Sequence, residues 1–210
     1  MATTTNYSWT TPDNTAYVKD GASAIRSLGS SVDTTLFSVT GGKNVGLVPV
    51  TTTTFSGATT LNVNSCFTSA FDNYRMVLTI TSVTSTGSYV TWNSRNGGTT
   101  DTSSATMNAN GYFGQLATVT FVYQAGQTSG RISLGGDTAG AAGFAVIDMI
   151  SPALATNTMW TTSSNGILSG NYTSLHVAGL KATAAAHDGI TINFPTSSTG
   201  TLRIYGYRNS

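Results

Sequence analysis

The chain has 210 residues, a formal net charge of +1 and only 8% charged residues, against roughly 25% in an ordinary soluble domain. Every acid is Asp and no Glu occurs, so the Glu–Lys pairs that support exposed helices cannot form, which argues against a helix-rich fold. A hydrophobic fraction of 39% with a mean hydropathy of +0.02 excludes a disordered chain, and without any Lys/Arg run there is no electrostatic footprint for nucleic acid.

The first residues, Met1 to Ser8, are polar rather than basic and then apolar, and no apolar run approaches the roughly 20 residues of a membrane span. The expectation is a protein made in the cytoplasm, without signal peptide or membrane span. Tyr7 and Trp9 stand in this polar arm as aromatic plugs for a pocket on a partner, or as a pair that folds back locally. Thr11-Pro12-Asp13 then reads as a helix start, with Thr11 as N-cap, Pro12 at the first helical position and Asp13 facing the positive helix end. Gly29 suits its C-cap. Val18, Ala22, Ile25 and Leu28 recur at helical spacing, and Val32 and Leu36 prolong the stripe. So narrow a stripe is closer to a coiled-coil seam than to a globular helix face, making Val18, Ala22, Ile25, Leu28 and Val32 a candidate oligomerisation seam. Packing on the chain's own β domain is the alternative.

From about Phe37 the pattern changes to short β-branched and aromatic runs separated by Gly, Ser and Asn. The expected strands are Gly46 to Thr54, Arg75 to Ser82, Ser88 to Asn93, Thr118 to Tyr123, Arg131 to Leu134, Phe144 to Ile150, Thr158 to Thr162, Ser174 to Ala178, Gly189 to Phe194 and Leu202 to Tyr207. Met76, Leu78 and Ile80 share one face of their strand, and Leu202 and Ile204 oppose Arg203, Tyr205 and Tyr207. Asn96-Gly97-Gly98, Gly135-Gly136-Asp137 and His187-Asp188-Gly189 supply turns. This is the pattern of an all-β fold, an antiparallel β sandwich or jelly roll preceded by a short N-terminal helix and extended arm, with residues 1–36 forming the arm and helix and 37–210 the β domain.

Chemistry is sparse along the chain. Cys66 stands alone, which excludes an intrachain disulfide and a thiolate zinc site and reads as a half-buried core thiol. The two histidines, His176 and His187, have no metal-ligand spacing, and no Asp loop closes on a Glu as calcium sites do. No Gly-x-Ser-x-Gly elbow, phosphate loop or identifiable carboxylate pair is present. Neither an enzyme nor a cofactor or metal is expected. Binding through surfaces remains, with Trp92, Trp160, Tyr112 and Tyr172 near strand ends or loops as ring faces for glycan or subunit contact, and a core position as the alternative for the tryptophans.

The segment Asn6 to Asp33, with its core Val18-Lys-Asp-Gly-Ala and Ile25-Arg-Ser-Leu-Gly-Ser-Ser-Val-Asp33, resembles one common at the N-termini of tailed-bacteriophage structural proteins, especially tail-fibre and minor tail proteins. Phe67-Thr-Ser-Ala-Phe-Asp-Asn-Tyr-Arg75, Ile150-Ser-Pro-Ala-Leu154 and Gly200-Thr-Leu-Arg-Ile-Tyr-Gly-Tyr207 are similar to segments of phage virion β domains. The resemblance implies a non-enzymatic virion component, commonly trimeric, that attaches to other virion proteins through its N-terminal part and displays the β domain, in some cases toward a host surface glycan. A small tail fibre or tail-associated receptor-binding appendage is the leading expectation. No extended shaft separates Val32 from the β domain, which departs from longer members and keeps a capsid decoration protein or head fibre as the alternative. A carbohydrate-binding module is the alternative from another class.

Overall fold

Alternation of apolar and polar residues becomes alternation of buried and exposed faces in the computed structural model, which describes residues 2–5, 8–11, 17–40, 46–85, 89–102, 106–115, 117–134, 143–168 and 170–207. The chain divides into two units, Met1–Gly46 and Leu47–Ser210.

In the first unit β1 (Ala2–Thr3) pairs antiparallel with β2 (Thr10–Thr11), and helix α1 spans Val18–Thr40. Asp20 lies in the first turn of α1, where the partial positive charge of the helix end favours a carboxylate. The helix differs from the expected one at both ends. Thr11 lies in β2 rather than at an N-cap, and Pro12 and Asp13 lie outside the described residues. Gly29 does not cap the helix: it has no positive φ, and the helix runs through it to Thr40. A glycine inside a helix costs about 1 kcal/mol relative to alanine, but it ends the helix only when it takes the left-handed conformation. Beyond it, Thr34 turns its hydroxyl back onto the Ser30 carbonyl at 2.8 Å, so the polar side chain is satisfied within the helix.

The second unit is mostly β. Its strands are β3 (Leu47–Val63), β4 (Asn73–Val83), β5 (Tyr89–Asn96), β6 (Thr99–Thr100), β7 (Met107–Gln115), β8 (Thr118–Gln127), β9 (Gly130–Leu134), β10 (Gly143–Ile150), β11 (Thr158–Leu168), β12 (Asn171–Lys181) and β13 (Gly189–Tyr207). Among the described residues they form one curled antiparallel sheet, in the order β6-β5-β13-β4-β10-β11-β12-β7-β8, with β3 also on β13 and β9 also on β5. The curl is made by β13. Residues Gly189–Asn193 pair with β5, whereas Ser198–Tyr207 pair with β4, and β3 accompanies both halves. Pro195 sits between the halves, where it cannot donate to a ladder, and register shifts follow at Ser198 and Gly200. Two strands expected separately, Gly189 to Phe194 and Leu202 to Tyr207, are therefore one bent strand.

The core lies on the inner face of the curl. Met76, Leu78 and Ile80 on β4, Ala145, Ile147 and Met149 on β10, and Leu202 and Ile204 on β13 are buried, in agreement with their period of two. Trp92 of β5 and Trp160 of β11 meet edge to face, with ring centroids 5.2 Å apart and planes at 80°. Each ring needs a neighbouring strand without a side chain. Gly130 lies opposite Trp92 across β5–β9, and Gly179 lies opposite Trp160 across β11–β12. A Cβ at Gly130 would run into both indoles, and one at Gly179 would run into the Trp160 ring. The indole N–H of Trp160 donates to the Arg131 carbonyl at 3.2 Å, and Thr162 donates to the Ile132 carbonyl at 2.6 Å, tying β9 to β11.

Gly179→Ala is accordingly expected to destabilise the β unit by about 1–3 kcal/mol through overpacking, and Trp160→Ala by about 3–5 kcal/mol through the cavity it leaves. Denaturant unfolding followed by tryptophan fluorescence, or by far-UV circular dichroism for Trp160→Ala, measures both. An unchanged midpoint for Gly179→Ala would show that this contact carries no constraint.

Candidate functional site

The outer face of the sheet is where the register gathers polar and aromatic side chains. Ser163 of β11 stands opposite His176 of β12, His176 opposite Tyr112 of β7, and Tyr112 opposite Phe121 of β8. Residues two apart on each strand share this face, so Tyr172 and Asn165 belong to it as well. Ser163 Oγ and His176 Nδ1 lie 3.0 Å apart, and the Tyr112 ring lies over the His176 ring at 4.8 Å between centroids and 30° between planes. The Tyr172 hydroxyl donates to Asn165 Oδ1 at 3.0 Å. No carboxylate bonds His176 among the described residues, and the face is open to solvent. What it offers is ring faces, hydroxyls and amides for contact.

Toward the other end of the same face, Arg75 of β4 forks onto Asp148 of β10, with Nε to Oδ1 at 2.8 Å and Nη2 to Oδ2 at 2.7 Å, and the Tyr207 hydroxyl donates to Oδ1 at 2.7 Å. Burial alone would raise the Asp148 pKa, but the guanidinium and the phenol outweigh it and hold the carboxyl below its ordinary range. This bidentate pair neutralises both charges in place. Phe144, Ile150 and Met159 are exposed around it.

The residues singled out in the sequence divide between these surfaces and the interior. Trp92 and Trp160 are 1% and 0% exposed, so neither presents a ring to a glycan or a subunit; their rings fill the core at the curl. Tyr172 and Tyr112 are exposed on the outer face. On α1, Ile25 is 64% exposed and Ala22 is exposed, whereas Leu28 and Val32 are half-buried; Val18 opens the helix, and its side chain lies outside the described residues. The five seam residues thus do not share one uniformly free stripe. Ala24, a residue outside the expected seam, is buried. Trp9 is half-buried, with its indole N–H donating to Thr35 Oγ1 at 3.0 Å, so the arm folds back on its own helix. Tyr7 lies outside the described residues.

Sequence reading missed the Ser163–His176 pair. Its signal is arithmetic, since β11 and β12 close at Leu168↔Asn171 and every pair outward of that turn follows from counting. It also missed a cluster of buried polar groups. Arg95 is almost fully buried and donates to Asn64 Oδ1 at 2.8 Å, Asn62 Oδ1 at 2.8 Å and the Gly98 carbonyl. Lys181, 2% exposed, bonds Asp101 Oδ2 at 2.7 Å. Nearby His187 is buried, and neither ring nitrogen has a hydrogen-bond partner among the described residues. Cys66 is buried too, and burial pushes its thiol up to about 12, which leaves it an inert core group.

Burial first, and then the positive charge of Lys181, lower the His187 pKa, against weaker opposite pulls from Asp101 and Asp188. The unfolded chain therefore takes up this proton before the folded one does, and stability present above about pH 6.5 declines as pH falls toward the lower folded value. Urea unfolding at closely spaced pH values should show this decline in the native protein and a shallower one in His187→Gln. Equal slopes in both would contradict the assignment.

No protein-family model matches the chain, and no curated protein shows significant sequence similarity to it.

Proposed function

We propose that the protein is a structural component of a tailed-bacteriophage particle, a small tail fibre or tail-associated appendage whose first unit attaches to other virion proteins and whose β unit is displayed. The observation that carries this reading is the segment Val18 to Asp33, whose residues resemble the N-terminal segments of phage tail proteins. The surface chemistry of the β unit is compatible with it. Large apolar side chains, among them Phe144, Met159 and Tyr172, are exposed on a strand face where Arg75 and Asp148 are paired and Arg203 is exposed. Where its charges are paired, such a face loses little solvation energy when a neighbouring subunit covers it, and Arg203 would take an acidic or carbonyl partner there. We read the curled sheet as a sandwich of jelly-roll type, with β5 and β9 forming a short layer over β11, and we read the activity as binding and assembly rather than catalysis. In this reading Ile25, with Ala22, is the part of α1 offered to further copies, in a trimer or another assembly.

A second reading is favoured by Tyr112 and Tyr172, whose exposed rings stand beside Asn110, Asn165 and Ser163, an arrangement that also suits stacking on sugars. A glycan array distinguishes it: selective binding lost in Tyr112→Ala or Tyr172→Ala with folding intact would establish carbohydrate recognition.

For the leading reading, particles grown with only a copy lacking residues 1–46 should lack the protein, while the truncated chain remains folded by circular dichroism. Normal incorporation would refute attachment through the first unit. Antibody labelling of native particles should mark the tail, and labelling of the shell would instead assign a capsid decoration or head-fibre role.

A further inference from the structure

Strand β8 ends the sheet: among the described residues it pairs on one side only, with β7. A free strand edge presents unpaired N–H and C=O groups, and natural proteins blunt such edges with charge, proline or bulges. The other long edge strand is blunted in this way, since β3 carries Pro49 and a register shift beside Gly57, whose φ is +61°. The stretch Thr118–Gln124 of β8 carries none of these devices. It has no proline and keeps regular register with β7 up to Gln124, and the sequence holds no charged residue anywhere between Asp101 and Arg131. On its outer face Val119, Phe121 and Tyr123 are 66%, 89% and 72% exposed. Together they present roughly 400 Å² of largely apolar surface.

We infer that this edge is covered by a second copy of the chain, β8 pairing antiparallel with β8 across a two-fold axis at Phe121. Two features favour a second copy over a foreign partner. The unblunted stretch Thr118–Gln124 has Phe121 as its middle residue, so a two-fold there sets Phe121 opposite itself, Val119 opposite Tyr123 and Thr118 opposite Gln124. The apolar residues thereby become cross-strand neighbours on one continuous face. The stretch is also uncharged, so two copies meet without like-charge repulsion, whereas a charged partner would find nothing to pair with. The free backbone edge supplies the main-chain hydrogen bonds of such a pair, and Phe121 packing beside its own copy and Val119 beside Tyr123 removes part of their exposed apolar surface from water. Such a two-fold is isologous and self-limiting. It is separate from any association through α1 and from any place in a particle.

The test uses the full chain. Sedimentation equilibrium of the native protein at micromolar concentration should show reversible association. Phe121→Lys/Tyr123→Lys should weaken it by roughly 100-fold or more, with unchanged circular dichroism and melting temperature, whereas Ile25→Lys on α1 should leave the β8 pairing intact. Directly opposed residues in an antiparallel pair have Cα atoms roughly 4.5–5.5 Å apart, within disulfide reach. Mild oxidation of Phe121→Cys should therefore give a covalent dimer, and Thr54→Cys on β3 should not. A native monomer, an association unaffected by the two lysines, or no more cross-linking at position 121 than at position 54 would each overturn the inference. Loss of cross-linking at β8 would leave the virion reading standing, and tail labelling would leave the β8 pairing open to this same test.

Discussion

The contact between Trp92 and Trp160 is the constraint on which the β unit is organised. Two large rings meet edge to face at the inside of the curl, and each lies across a glycine of the adjacent strand. Because Gly130 and Gly179 have no side chains, β9 can lie beside β5 and over β11, and the backbone of β9 then receives hydrogen bonds from Trp160 and Thr162. Aromatic pairs of this geometry contribute about 0.5–1.5 kcal/mol beyond the area they bury. Their larger effect is geometric. With that position fixed, β13 must turn near Pro195 to serve β5 at one end and β4 at the other, and the outer face of β11, β12, β7 and β8 is left to solvent.

The scarcity of charge acquires a structural meaning in this arrangement. Arg75 is neutralised by Asp148, Lys181 is buried against Asp101, and Arg95 is buried among amide and hydroxyl acceptors. These charges fix strands against one another rather than decorating a surface. The outer face keeps threonine, serine, asparagine and aromatic side chains, which hydrogen-bond to water in the free protein and to a neighbour in an assembly. Removing a hydrated ion from water costs several kcal/mol, so the pairing of Arg75 with Asp148 lowers the cost of covering that part of the face, whereas Arg203 beside it is exposed.

Much of the fold was legible in the residues, for local reasons. Strands with clear alternation, such as β4 and β10, declare their inner face because one side must be apolar. Asn96-Gly97-Gly98 declares a hairpin, and both glycines have positive φ in the β5–β6 turn. β7 was not legible, because Met-Asn-Ala-Asn-Gly-Tyr-Phe-Gly-Gln is built of turn-forming residues and becomes a strand only between the two neighbours that pair with it. The continuity of β13 across Pro195 was hidden for the opposite reason, since a proline ordinarily ends a strand. The tryptophans could be placed in the core or on the surface from sequence alone, and only the glycines facing them across the sheet decide it. The pairing of Ser163 with His176 and the clustering of Arg95, Lys181 and His187 depend on register and on contacts distant in sequence, which composition does not encode.

The most direct test of the organising contact is a double-mutant cycle on Trp92→Leu and Trp160→Leu, read by denaturant unfolding monitored by circular dichroism. The two substitutions are expected to be coupled by about 1 kcal/mol, the double variant being less destabilised than the sum of the singles. Strict additivity would contradict it, because the rings would then be contributing to stability independently of each other.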